Sequence, residues 1–92
     1  MAQTAVKARI TGKVQGVAFR NWTRARATRH ALQGYVINEP FGSVRAVFEG
    51  EARAVQMMLD ELWEGPAAAV VQHVETEEID LEEMPDEFRI LH

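Results

Sequence analysis

An α+β sandwich, with two helices laid on one face of a mostly antiparallel sheet, is the fold that this sequence predicts, and three observations carry it. Apolar residues alternate with polar ones around Val6, Ala8 and Ile10 and again around Val44, Ala46 and Phe48, the period-two signature of strands with one covered face. Val55, Met58, Leu59, Leu62 and Trp63 fall at the spacing of one face of an α-helix. Gly34, Gly50 and Gly65-Pro66 interrupt the chain between these segments and cut it into pieces of strand or helix length.

Taken in order, the first strand covers residues 5–11, with Val6, Ala8 and Ile10 toward a core and Lys7, Arg9 and Thr11 toward water. A loop follows over residues 12–20, GKVQGVAFR. Helix one is expected over residues 21–31, with Asn21 as the residue that caps its free N–H groups. Its apolar face is poor, because Trp22, Ala25, Ala27 and Ala31 are mixed with Arg24, Arg26, Arg29 and His30. The helix therefore rests on a run free of glycine and proline and on the cap. A short strand over residues 35–38, the reversal Glu39-Pro40-Phe41-Gly42 and a strand over residues 43–49 make a hairpin. Helix two covers residues 52–64. Residues 69–79 read as a strand whose imperfect alternation a bulge would explain. Residues 80–87 are an acidic connection, and residues 88–91 a last short strand. The order β-α-β-β-α-β plus one strand, with two interleaved βαβ units and right-handed crossovers, is that of a ferredoxin-like two-layer sandwich.

Ninety-two residues with 47% hydrophobic content suit a single domain spanning 1–92 with one active site. Absence of cysteine removes disulfides, thiol catalysis and cysteine metal sites. The first ten residues carry Lys7 and Arg9 without a long apolar run, so neither a secretory signal nor a membrane span is expected. A cytoplasmic monomer without membrane partners is the expectation. The net charge of -4 conceals an asymmetry. Residues 1–45 hold eight basic residues against Glu39 alone, a net +7, and the remainder holds two against thirteen, a net -11. The loop at residues 12–20 thus lies in a positive field that favours encounter with anions.

That loop joins a strand to a helix, where free N–H groups and the positive end of the helix dipole meet. Gly12 and Gly16 allow unusual backbone angles and close approach, and Arg20 can close over a phosphate with two parallel charge-assisted bonds. By itself the two-glycine spacing also fits a plain turn. The wider sequence separates the two possibilities. GKVQGVAFR resembles the signature loop of the acylphosphatase family, and residues 34–50, GYVINEPFGSVRAVFEG, resemble that family's second signature. The spacing between Arg20 and Asn38 agrees with the family's active-site arginine and asparagine, and weaker similarity continues through Gly65-Pro66 to Phe88-Arg89-Ile90.

The resemblance implies the ferredoxin-like fold and the hydrolysis of acyl phosphates, small-molecule mixed anhydrides, to a carboxylate and inorganic phosphate without metal or other cofactor. Carried over residue by residue, Arg20 and Asn38 are the catalytic pair. The backbone of Gln15, Gly16, Val17, Ala18, Phe19 and Arg20 binds the phosphoryl oxygens, and Asn38 holds the attacking water. A carboxylate leaves without strong acid assistance, so positioning and charge stabilisation suffice. This sequence departs from the family pattern at Ala31, Tyr35 and Ile37, none of which touches the proposed chemistry directly, and at Phe41, where an acidic turn residue is common and which bears on the type of hairpin; Glu39 is expected to point away from Asn38's side. His30 reads as a packing residue. His73 and His92 form no metal-ligand spacing. A nucleic-acid-binding reading finds poor support, since strand one has no aromatic and strand three has only Phe48, on the expected core face.

Overall fold

A computed structural model describes residues 2–92. Five strands and two α-helices follow one another as β1 (Gln3–Lys13), α1 (Phe19–Arg29), β2 (Gln33–Asn38), β3 (Val44–Glu51), α2 (Ala52–Leu62), β4 (Val70–Ile79) and β5 (Phe88–Leu91), with one 3-10 turn at Pro40–Gly42 between β2 and β3. The sheet order is β4-β1-β3-β2-β5. Among the described residues the β2–β5 pair is parallel and the other three pairs are antiparallel. Strand pairing sets Val6 opposite Phe48, Ala8 opposite Ala46 and Ile10 opposite Val44, so the alternating apolar residues share one face. There Ala8, Ile10, Val36, Val44, Ala46 and Phe48 meet Phe19 and Ala27 of α1 and Val55, Met58 and Leu62 of α2 in one buried cluster. Phe48 stacks on Phe88 with ring centroids 5.4 Å apart, which anchors β5 to the sheet.

Helix one differs from the sequence expectation at both ends. It begins at Phe19 and ends at Arg29. Its N-cap is Ala18, in the left-handed region at φ 63°, with no side-chain cap, and Asn21 lies inside the first turn. The reason is Phe19. Its side chain is buried, and with Thr23 and Ala27 it forms the stripe that faces the sheet, so the helix must start early enough to include it. Ala31 has φ 58° and lies beyond the C-cap, His30. Arg26 and His30 reach across to Glu61 of α2, at 3.1 Å and 2.8 Å, and Arg26 also lies over the Trp22 ring. Half-burial raises the Glu61 pKa, but the His30 and Arg26 contacts outweigh it and hold that carboxyl below its usual value.

The irregular alternation of the fourth strand is a bulge. Thr11 pairs with His73 and Gly12 with Val71, which leaves Gln72 as the extra residue. Gly12 belongs to this bulge, since a Cβ there would stand 2.2 Å from the Val70 carbonyl oxygen. The acidic connection of residues 80–87 runs from β4 at one edge of the sheet to β5 at the other. On its way the Glu82 N–H donates to Glu49 at 2.9 Å, and Gln33 donates to Asp86 at 3.2 Å. Among the described residues no helix is long and apolar enough to cross a membrane.

Candidate active site

At one end of the sheet the β1–α1 loop, the end of β2 and the end of β5 enclose a cleft of about 380 Å3. The loop is irregular after Lys13, and only Gly16 and Ala18 have positive φ among residues 14–18. Alternation of hand at successive residues turns backbone N–H groups toward a common point and makes an anion-binding nest. At Gly16 the requirement is conformational, for φ is 72° and an added Cβ would meet nothing within 4 Å. Ala18 takes the same kind of angle at a cost of about 1–2 kcal/mol. The first turn of α1 closes with the Trp22 N–H on the Ala18 carbonyl at 3.0 Å, so the N–H groups of Phe19, Arg20 and Asn21 have no intrahelical acceptor.

Arg20 and Asn38 line this cleft together, with Gln15, Gly16, Ala18 and Phe19. Val17 is half-buried and packs against the core, so within this loop it contributes backbone alone. The Arg20 Nη1 donates to the Leu91 carbonyl at 3.3 Å and lies 3.3 Å from His92 Nδ1, which steadies the guanidinium from the β5 side. The side-chain oxygen of Asn38 is buried with no hydrogen-bond partner among the described residues. An unpaired buried acceptor costs about 1–3 kcal/mol, and a bound donor would relieve it.

Two features hold loop and hairpin in register. The Gln15 side chain donates to the Glu39 carbonyl at 2.8 Å and to the Ser43 carbonyl at 2.7 Å, tying the loop to the reversal that follows Asn38. Its side chain is thus structural, while its backbone lies in the nest. Glu39 turns away from the cleft. Arg9 Nε and Nη2 donate to its two carboxylate oxygens at 2.9 Å and 3.3 Å, and the Ser43 hydroxyl donates at 2.9 Å. The Arg9 hydrogen bond holds the Glu39 carboxyl below its ordinary pKa against the opposing effect of burial, with Ser43 and Arg45 assisting. The negative charge next to Asn38 is therefore neutralised away from the site.

Sequence reasoning missed three contributors. The family resemblance gives Gln15 a backbone role alone, whereas its side chain ties the loop to the hairpin. His92 has no metal-ligand spacing in the sequence, yet it forms a cleft wall with Ile90. Arg24, one helical turn beyond Arg20, lines the same cleft. The position of β5 was the available signal: parallel pairing with β2, Ile37 opposite Leu91, brings its C-terminal end beside Asn38.

These parts form a cleft at a helix-opening loop of an α+β sandwich, lined by a guanidinium, unpaired backbone N–H groups and an unpaired amide oxygen. A family model described as Acylphosphatase matches residues 6–90. An acylphosphatase from Rhizobium etli is 51% identical over 86 residues, covering 94% of this chain and 92% of its own length. Among solved structures, an acylphosphatase from Coxiella burnetii superposes with a TM-score of 0.92 at 38% identity, covering 97% of this chain and 93% of its own. One from Bacillus subtilis gives 0.93 at 28% identity, covering 97% and 99%. The chain belongs to the acylphosphatase family, and its activity is that of an acyl phosphate hydrolase.

Proposed function

We propose that this enzyme hydrolyses acyl phosphates without a metal ion, the nest of residues 15–20 and Arg20 holding the phosphoryl group while Asn38 positions the attacking water. The observation that carries this reading is the convergence, in one cleft, of a backbone nest, the Arg20 guanidinium and the unpaired Asn38 oxygen. Water attacks phosphorus, the bond from phosphorus to the acyl oxygen breaks, and the electron pair leaves with the carboxylate. The products are the carboxylate, hydrogen phosphate and a proton. In phosphoryl transfer of this kind charge spreads over the three equatorial oxygens, where preorganised N–H donors act most strongly. Arg20 Nε and Nη2 have no partner among the described residues and are free for this purpose. Asn38 Oδ1 accepts a hydrogen bond from the water and turns its lone pair toward phosphorus. A phosphoryl oxygen takes the proton, since no lining side chain is a carboxylate.

Metal independence is consistent with the donor set: among the described residues no group of three or more His, Asp or Glu side chains could hold an ion. The test is release of phosphate from acetyl or benzoyl phosphate by purified protein in excess chelator, with inorganic phosphate as a competitive inhibitor. Activity that disappears on chelation contradicts the proposal.

A further inference from the structure

We propose that Arg24 makes the enzyme prefer acyl phosphates whose acyl part carries a second negative charge, a dicarboxylic acid monophosphate being the simplest class; this rests on the reading of the cleft as an acyl phosphate site. Arg24 stands four residues after Arg20 on α1, so the two share a helix face with Cβ atoms about 5–6 Å apart. Both line the cleft. Most other cationic side chains are already committed: Lys7 to Glu77, Arg9 and Arg45 to Glu39, Arg26 to Glu61 and Arg89 to Glu87. Arg24 is exposed and has no carboxylate within 4.0 Å among the described residues.

The cleft wall adds a second reason. At about 380 Å3 the cleft falls in the roughly 300–1,000 Å3 range of small-molecule sites and has room for an acyl chain beside the phosphoryl group. Among the described residues none of the side chains lining it is acidic, so no side-chain carboxylate of the cleft competes for Arg24. With the phosphoryl group on the nest and Arg20, the charge left on the helix wall is Arg24. A neutral acyl group has no use for that charge. A carboxylate at the far end of the acyl chain pairs with the guanidinium, and the bond broken and the products released stay the same apart from that added charge.

The experiment compares kcat/KM for succinyl phosphate and acetyl phosphate in the wild type and in Arg24→Ala, Arg24→Lys and Arg24→Glu, at low and high salt. The wild type favours succinyl phosphate. Arg24→Ala lowers the succinyl-to-acetyl ratio about two- to fivefold, the range for a solvent-exposed ion pair, mainly through KM. Arg24→Lys retains most of the ratio, Arg24→Glu lowers it further, and salt narrows the wild-type preference. Acetyl phosphate turnover reports that each variant is folded. If Arg24→Ala raises KM for both compounds equally, together with the inhibition constant of inorganic phosphate, Arg24 grips the phosphoryl group and the inference is overturned. Acetyl phosphate turnover with a ratio insensitive to Arg24 overturns this inference alone. Hydrolysis of neither compound by the wild type overturns both it and the proposed function.

Discussion

Replacing Glu39 with alanine removes the carboxylate that gathers Arg9 and Ser43 beside the hairpin reversal, and its cost follows from the contacts. Arg9 is 53% exposed and Glu39 15%, so solvent screens their ion pair and its contribution is small. The Ser43 hydroxyl bond adds about 1 kcal/mol. A loss of about 1 kcal/mol lowers Tm by about 5 °C in a chain of this length. The pH dependence supplies a second readout. Glu39 is held below its ordinary pKa, so its contribution is fully present above the unfolded carboxylate value of about 4.3 and is lost as pH falls through the lower folded value. The Tm difference between wild type and Glu39→Ala, measured by circular dichroism, is therefore constant from pH 8 down to about 5 and shrinks only below about 4.3. Glu39→Gln, which can still accept from Ser43, falls between the two. The backbone of the reversal remains held by Gln15 and by the Glu39 N–H on the Ser43 carbonyl at 2.8 Å, so activity changes less than stability. A Tm difference under about 2 °C at pH 7, or one that shrinks between pH 7 and 5, refutes the reasoning.

Two further outcomes follow from the same geometry. Gly12→Ala places a Cβ 2.2 Å from the Val70 carbonyl oxygen at a φ of 124°, and urea unfolding shows a loss of about 3 kcal/mol or more, combining overpacking with backbone strain; a loss under about 1 kcal/mol means that the bulge relaxes freely. Gln15→Ala removes both bonds that tie the loop to the hairpin, lowering stability by about 1–2 kcal/mol and kcat by about tenfold as Arg20 and Asn38 lose register. Unchanged kcat with lowered stability shows that the tie supports the fold alone.

The first and third strands were legible because apolar residues alternate along their covered face, and helix two because its apolar stripe is continuous. Helix one was legible in existence but not in extent. Its sheet-facing stripe is Phe19, Thr23 and Ala27, of which one is polar and one small, so periodicity carried little signal. Phe19 looked like a loop residue because it follows a glycine-bearing turn. The cap failed for a related reason: Ala18 enters the helix through a left-handed angle that no side chain announces. At the site, Arg20 and Asn38 were visible through the two motifs, and the turning away of Glu39 through strand alternation. What the chain alone could not reveal depends on distant partners. Gln15 reaches carbonyls 24 and 28 residues away, and His92 meets Arg20 across 72. Of the two glycines in the first motif, Gly12 serves the sheet and Gly16 the nest, a division that their spacing does not encode.

The division of labour between Arg20 and Asn38 is tested most directly by the turnover of acetyl phosphate, in excess chelator, by Arg20→Ala and Asn38→Ala at saturating substrate. Each variant should lose about 10²-fold or more in kcat, as expected when a preorganised transition-state contact is removed. Only Arg20→Ala should also weaken inhibition by inorganic phosphate, since the proposed mechanism gives Asn38 the water and Arg20 the phosphoryl group. Wild-type kcat in either variant, or loss of phosphate inhibition in Asn38→Ala, contradicts the account.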